Sequence, residues 1–429
     1  MPFNFKSIRN QFFQIWRKGA FHIIIGSFLT KFVSFFGSIF LVRVLSKTSY
    51  GVLSYIENIY AYVFIFAGMG LGNALLRYVV LAKTPEHKYG YYRYIQKKST
   101  LFNLILILIL GLYAVFYPPP SEFASARWLL VIILIALPFQ YLMQNSMLLL
   151  RALFANKGYA ITAFVTTAIL IGSKYVGAVF WDLKGVIVAF IAVNLFFGIL
   201  FCVMIYKKYF NNIKAQTLSS SEKKIADRYS IQYMITSGIW SIFMLNDVFM
   251  LGMFFGDATI VADYKVAYVI PGNLAIISTA IGIFVSPYFV RHESNYEWIR
   301  KNYKKVMSLT AGLMALAVLI LFVFAKPIIT LLYGAQYENV VPIMRLLLIA
   351  AFANCGLRFT TANLLAAMGQ IKYNMTISFI GVMFQIGINI FMIPRFGAMG
   401  AAFTSIVIYT IMALALFSVF VKKYQLFKR

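Results

Sequence analysis

Eight charged side chains lie within long apolar stretches of this sequence, and their types indicate recognition of an anion. The cationic ones are Lys31, Arg77, Lys174, Lys265, Arg345 and Arg358, and the acidic ones are Glu57 and Asp247. A charge at the centre of a membrane helix costs on the order of 3 kcal/mol, so such residues usually face a cavity or other protein. Because cations outnumber acids, we predict a positive, water-lined central cavity that binds an anionic passenger.

The depth of these cations separates them into two groups. Lys31 lies in the middle of the apolar stretch Phe21–Val42, roughly 15 Å from either end of a helix, which is too deep for its ammonium to reach the interface. Lys174 and Arg358 are also deep. The remaining three lie near the ends of their stretches and could extend to the interface instead; they are Arg77, Lys265 and Arg345.

The two acids could carry a coupling ion. The chain has no GxxxxGK[ST] phosphate loop, so uphill transport would draw on a gradient of H⁺ or Na⁺ and not on ATP. Glu57 and Asp247 are the only acids well within apolar stretches, which makes them the candidate carriers. An equally good interpretation is that they form ion pairs with Lys31, Lys174 or Arg358.

Composition defines the class of protein. Hydrophobic residues make up 62% of the 429 residues and charged residues 12%, and many apolar stretches reach the length of about 20 residues that crosses a bilayer. The sequence therefore predicts an all-α, multi-pass membrane protein.

The net charge of +27 resides in loops, where it indicates contact with anionic phospholipids and not with nucleic acid. The three histidines are not spaced as metal ligands, so we predict no metal and no cofactor, and the two cysteines lie inside apolar stretches, which excludes a disulfide framework.

The elements that must position the charges are twelve predicted membrane-spanning helices. Lys and Arg concentrate in alternate loops, which predicts that both termini are cytoplasmic. The spans divide into a six-helix lobe at 1–205, a cytoplasmic linker at 206–229 and a second six-helix lobe at 230–429. Two similar segments, about half the chain apart, indicate an internal repeat: LFANKGY at Leu153–Tyr159 and LAAMGQIKY at Leu365–Tyr373. The Pro271-Gly272 pair in the eighth span predicts a helix break beside the passage.

Enzymatic activity is not predicted. The sequence contains no Ser-His-Asp or Cys-His grouping, and its outer loops are too short to hold the catalytic groups of a membrane glycosyltransferase or polymerase.

Three segments resemble the Wzx-type polysaccharide flippases, a group within the superfamily that also includes multidrug and toxin extruders (MATE) and lipid II flippases. The segments are LVRVLSKTSYGVLSYIENIYAYVFIFAGMGLGNALLRY at Leu41–Tyr78, NDVFMLGMFFGDATIVADYKVAY at Asn246–Tyr268 and LLYGAQYENVVPIMRLL at Leu331–Leu347. The resemblance implies a V-shaped pair of lobes around a central cavity that works by alternating access. It also implies that the passenger is an undecaprenyl-pyrophosphate-linked oligosaccharide.

Several further expectations follow from this resemblance. The passenger would move from the inner to the outer leaflet of a bacterial cytoplasmic (inner) membrane, for O-antigen, capsule or exopolysaccharide synthesis. A polymerase and other polysaccharide-assembly proteins would be partners. A peptidoglycan role is less favoured, because lipid II flippases usually have fourteen spans. The main alternative is an ion-coupled small-molecule or drug antiporter of the MATE type, although such extruders usually have acidic cavities.

Overall fold

A computed structural model describes residues 21–116 and 121–426, and within these residues the regular structure is entirely helical. The α-helices are, in chain order, α1 (Phe21–Val44), α2 (Lys47–Phe66), α3 (Leu71–Leu81), α4 (Pro85–Phe116), α5 (Arg127–Ile133), α6 (Ala136–Ala152), α7 (Asn156–Ile205), α8 (Ser220–Phe255), α9 (Ala258–Asn273), α10 (Ala275–Arg291), α11 (Tyr296–Val323), α12 (Ala325–Tyr333), α13 (Val341–Ala351), α14 (Phe359–Ala367) and α15 (Ile371–Tyr424). Short 3₁₀ turns span Ala67–Gly70, Ser121–Ala126 and Ala335–Val340, and π-turns span Tyr206–Phe210 and Phe352–Arg358.

Ten helical stretches in the described part of the chain are long and apolar enough to cross a membrane. The prediction of an all-α, multi-pass membrane protein is therefore confirmed. Two of the ten stretches contain 55 and 54 residues, which as straight helices would be roughly 80 Å long, far more than the ~30 Å apolar core of a bilayer.

Both long stretches fold back on themselves. Helix α7 loses helical backbone angles at Trp181 and Asp182, and α15 does so at Gly397. Beside the first bend, a Cβ atom on Gly177 would lie only 2.3 Å from the carbonyl oxygen of Gly185. Residues eight apart in a straight helix are about 12 Å apart, so the chain reverses here. Each long helix therefore contains two antiparallel segments, as the twelve-span prediction requires. The number of crossings and the cytoplasmic termini stay predictions.

The turns that precede these hairpins resemble each other in backbone geometry. Phe154 and Gly369 both adopt left-handed backbone angles, with φ of 58° and 74°. The same backbone hydrogen bond closes each turn, from the N–H of Ala155 to the carbonyl of Leu150 (2.8 Å) and from the N–H of Gln370 to the carbonyl of Leu365 (2.7 Å). The two turns of LFANKGY and LAAMGQIKY thus have the same backbone geometry, and the internal repeat of the two halves stays a prediction.

The described residues form two compact units. Unit 1 contains residues 21–49, 59–116 and 124–237, and unit 2 contains residues 50–58, 121–123 and 238–426. Helix α2 thus contributes to both units. The lobes predicted at 1–205 and 230–429, with a linker at 206–229, stay a prediction.

The core of unit 1 includes residues of the predicted linker. Phe210 and Leu218 are buried among side chains of α3, α4 and α6. The N–H of Gln216 donates to the carbonyl of Glu86 (3.0 Å), and Nε2 of His87 lies 2.8 Å from a carboxylate oxygen of Glu222. Residues 206–229 are therefore packed onto unit 1 and do not form a loose tether.

Helix breaks occur in both units. In unit 2, α9 contains Pro271 and ends at Asn273, and α10 begins at Ala275, which confirms the break predicted at Pro271-Gly272. In unit 1, Gly68, Met69 and Gly70 all have positive φ and separate α2 from α3. The N–H of Gly68, freed by this break, donates to Oδ1 of Asn103 at 2.6 Å. The sequence interpretation missed this second break, although the glycines of AGMGLG carry its signal.

Candidate functional site

A cavity of about 190 Å³ lies inside unit 2, bounded by α2, α8, α9, α10, α13, the π-turn Phe352–Arg358, α14 and α15. Its wall is formed by aromatic and aliphatic side chains, with a few polar groups among them. Two of the predicted site residues, Asp247 and Lys265, line it directly. The other polar side chains of the wall are Asn58, Asn354, Gln385 and Ser405.

Asp247 is the most completely bonded side chain of this cavity. Its carboxylate accepts from Tyr264 on α9 at 2.5 Å, and from α15 it accepts hydrogen bonds from Gln385 (3.1 Å), Asn389 (2.8 Å) and Ser405 (3.2 Å). Four donors match the lone pairs of an ionised carboxylate. All four are neutral, and within the described residues no Lys or Arg nitrogen lies within 4.0 Å of Asp247. Asp247 therefore forms no ion pair with Lys31, Lys174 or Arg358 in the described residues, in contrast to the alternative interpretation.

Three buried amide oxygens, which accept no hydrogen bond from the described part of the chain, belong to the cavity that Asp247 lines. In the described residues, Oδ1 of Asn58, Oδ1 of Asn354 and Oε1 of Gln385 are buried without a hydrogen-bond donor, and all three side chains line the cavity. A carboxylate and amide oxygens in one cavity are the ligand types that suit a proton or a hard cation. The described part of the chain contains no group of three or more His, Cys, Asp or Glu side chains that could hold a metal ion.

Lys265 is the cationic side chain of the cavity wall, and Glu57 belongs to the same unit without lining the cavity. Lys265 is half-buried on α9, and the charge of Glu57 on α2 acts on it. The structure therefore places Glu57 where its charge acts on Lys265, a cation that the ion-pair interpretation did not name as its partner.

Arg358 is the most buried of the predicted cations, with 3% of its surface exposed. Its guanidinium carbon lies 4.3 Å from the ring centroid of Trp240, which lines the cavity. In the described residues Nε of Arg358 has no hydrogen-bond acceptor, and no carboxylate lies within 4.0 Å of the group. Burying a charge without an ionic partner costs several kcal/mol, so an anion placed against Arg358 would be strongly favoured.

Arg345 has a different environment on α13. Its Nε donates to the carbonyl of Phe322 at 3.2 Å, and its guanidinium lies 5.1 Å from the ring centroid of the same residue. Arg345 is half-buried and does not line the cavity.

The other three predicted cations belong to unit 1. Lys31 is exposed on α1, and Arg77 is exposed on α3 with its guanidinium 5.0 Å from the ring centroid of Tyr229. Lys174 is half-buried on α7, with Nζ 4.9 Å from the ring centroid of Phe190. Of the predicted residues in unit 2, Asp247 and Lys265 line the cavity and Arg358 contacts the lining residue Trp240, whereas these three cations lie in the other unit.

Sequence reasoning did not assign several residues of this site. Gln385 and Asn389 carried a usable signal, because polar side chains four residues apart share one face of an apolar helix. The sequence around Tyr264 and Trp240 did not indicate a site, because aromatic residues are common in apolar stretches.

The ten apolar helices and the two hairpins define an all-α, multi-pass membrane protein. The solved structures that it resembles agree with this class. A structure described as "Lipid II flippase MurJ, inward closed conformation" matches with a TM-score of 0.75 at 16% identity, covering 94% of this chain and 89% of that one. An inward-facing multidrug resistance MATE family transporter of the MOP superfamily matches with a TM-score of 0.68 at 12% identity, covering 92% and 94%.

The sequence identifies the family. The chain belongs to the polysaccharide biosynthesis protein family, whose sequence model matches residues 16–293. A relative in Methanocaldococcus jannaschii, the uncharacterized membrane protein MJ1068, is 24% identical over 441 aligned positions, which cover 92% of this chain and 82% of the relative. The relationship to polysaccharide biosynthesis proteins predicted from the three quoted segments is confirmed at the level of this family.

Proposed function

We propose that this protein is a flippase that moves undecaprenyl-pyrophosphate-linked oligosaccharide units from the inner to the outer leaflet of a bacterial cytoplasmic membrane. The units would serve the synthesis of a surface polysaccharide such as O-antigen, capsule or exopolysaccharide. Membership of the polysaccharide biosynthesis family supports the pathway, and the MurJ-like fold supports transport of a lipid-linked passenger.

The observation that carries the proposal is the unpaired guanidinium of Arg358. A pyrophosphate presents several anionic oxygens, and the planar fork of an arginine can bind two of them at once. Trp240 packs against one face of the guanidinium, so the N–H groups along the edge of the guanidinium are left to bind an anion. Lys265 and Arg345 in unit 2, and Lys31, Arg77 and Lys174 in unit 1, are the further cations proposed to contact the passenger during alternating access.

Energy for the cycle is proposed to come from a gradient of H⁺ or Na⁺. Asp247 is the better of the two candidate carriers, because all four of its partners are neutral and amide oxygens without donors lie in the same cavity. Glu57, whose charge acts on Lys265, is proposed as a charge partner.

Two classes of partner are proposed. Exposed cations lie on the first turns of α11 and at the end of α15, where they suit anionic phospholipid headgroups: Lys301, Lys304, Lys305, Lys422 and Lys423. A polymerase and other polysaccharide-assembly proteins would take over the translocated unit.

The test is complementation of a deletion strain. Loss of the protein should leave undecaprenyl-linked units on the inner leaflet, and Arg358→Ala should complement poorly at normal membrane abundance. Arg358→Lys should lie between wild type and Arg358→Ala, because the charge remains and the paired geometry does not. The matched control is Arg395→Ala, since Arg395 is an exposed arginine of the same unit. Full complementation by Arg358→Ala would refute the role of this residue.

One observation favours a second candidate, a small-molecule antiporter of the MATE type. The cavity combines an acid, Asp247, with the aromatic rings of Trp240, Tyr264, Tyr268 and Tyr409, a lining that suits organic cations. A deletion strain that becomes sensitive to cationic drugs, with normal distribution of undecaprenyl-linked units, would favour this function over the flippase.

A further inference from the structure

The backbone around Arg358 departs from an α-helix. Residues Phe352–Arg358 form a π-turn between α13 and α14, and the N–H of Phe359 donates to the carbonyl of Asn354, five residues earlier. A π-turn accommodates an extra residue, so the side chains that follow are rotated by about 100° relative to an uninterrupted α-helix. The direction in which Arg358 projects therefore depends on the survival of this π-turn.

One side chain from another helix bonds to the π-turn. The hydroxyl of Ser278 on α10 donates to the carbonyl of Cys355 at 2.6 Å, and Ser278 is completely buried. Its neighbours on α10 behave differently, since Thr279 donates to the carbonyl of Ala275 and Ser286 to that of Gly282, both within their own helix. A hydroxyl that bonds across helices to an irregular turn satisfies a backbone group that the turn would otherwise leave exposed in an apolar core.

The location of Ser278 adds to this interpretation. It lies in the first turn of α10, just after the break at Leu274, where the backbone hydrogen bonds run to the third residue back, from Leu274 to Pro271 and from Ile277 to Leu274. Gly356, inside the π-turn, packs closely on α11, where a Cβ would lie 3.3 Å from the side chain of Met314. The π-turn is thus packed on α11 through Gly356 and on α15 through Ala353, and the hydrogen bond from Ser278 connects it to α10.

We propose that Ser278 is a positioning residue for the anion site: its hydroxyl stabilises the π-turn and thereby holds the Arg358 guanidinium on Trp240. The positioning of Arg358 by Ser278 does not depend on the proposed function. Only its importance for transport rests on that proposal. Nothing in this role requires Ser278 to touch the passenger.

The first test follows Trp240, and it needs no ligand. The emission of Trp240 is isolated by subtracting the spectrum of the Trp240→Phe counterpart from that of each purified full-length protein. Ser278→Ala should shift the Trp240 emission towards that of Arg358→Ala, because the guanidinium leaves the ring in both. Ser278→Thr, which keeps a hydroxyl, should restore the wild-type spectrum. Ser286→Ala is the matched control and should leave the spectrum unchanged, because its hydroxyl bonds within its own helix.

The second test measures binding of inorganic pyrophosphate. Ser278→Ala should weaken this binding about fivefold to tenfold, the size expected for the loss of one hydrogen bond. The double variant with Arg358→Ala should bind no more weakly than Arg358→Ala alone, since Ser278 acts only through that arginine. If Ser278→Ala does not fold, Ser278→Cys keeps the volume with a poor donor and should give the same two results.

The outcomes separate the two proposals. A Trp240 spectrum that is unchanged in both Ser278→Ala and Ser278→Cys overturns the positioning role. Wild-type protein that binds no pyrophosphate, but shows the Trp240 shift on substitution of Ser278, contradicts the proposed anion recognition and supports the positioning.

Discussion

Replacement of Asp247 separates its charge from its hydrogen bonds. In Asp247→Asn the side-chain oxygen can still accept from Gln385 and Asn389, while the new amide group can donate to the hydroxyls of Tyr264 and Ser405, which can rotate to accept. We therefore expect a folded protein that has lost the negative charge. Ion-driven transport should then be abolished if Asp247 carries the coupling ion.

The magnitude of the effect on stability distinguishes Asn from an apolar replacement. In Asp247→Leu four buried donors lose their acceptor, and each costs about 1–3 kcal/mol, so the total reaches at least about 4 kcal/mol. This is a large fraction of the free energy of unfolding of a typical protein. Asp247→Leu should therefore be nearly absent from the membrane, whereas Asp247→Asn should accumulate close to the wild-type level.

The assay is ion counter-flow in liposomes that contain purified protein, with thermal unfolding measured in parallel. Asp257→Asn is the matched control, because Asp257 is an acid of the same unit that caps α9 by accepting from the N–H of Thr259 at 2.7 Å. Asparagine caps helices as well as aspartate does, so this variant should retain both stability and counter-flow. Unchanged counter-flow in Asp247→Asn would refute the assignment of Asp247 as the ion carrier and leave it a structural residue.

Three further predictions concern charge, packing and topology. Lys31→Arg should retain most of the flipping activity, whereas Lys31→Met should lose about 10- to 100-fold at equal membrane abundance. The reason is that a charge-assisted contact contributes roughly 1.5–3 kcal/mol. Equal complementation by both variants would show that the charge is not needed. Gly185→Ala should destabilise the α7 hairpin by about 3 kcal/mol and lower membrane abundance, because its Cβ would lie 2.0 Å from a backbone oxygen. Gly172→Ala is the control and should be tolerated, because Gly172 has open space around it. Reporter fusions at Ser220 and Arg429 should both be cytoplasmic, and an external signal from Arg429 would rule out the twelve-span topology.

The amino-acid sequence by itself determined the class, the family and the charged residues worth testing. Long apolar stretches predict membrane helices because hydrophobicity and helix length are local properties, and the turns at Phe154 and Gly369 could be paired because their local sequences are similar. Asp247 and Arg358 stood out for the same reason, since a charge in an apolar stretch is visible without any knowledge of its neighbours.

The tertiary structure alone decided what surrounds those charges. The donors to Asp247 on α15 lie 138 to 158 residues further along the chain, and no local pattern specifies which helix faces pack together over such a separation. Arg358 projects towards Trp240 because of a π-turn, a backbone irregularity of one residue that hydrophobic periodicity does not encode. Depth in a span was likewise a poor guide to exposure, since Lys31 is exposed on α1 while Arg358 is buried. Burial and partners are set by packing between distant segments, so they emerge only once the helices are assembled.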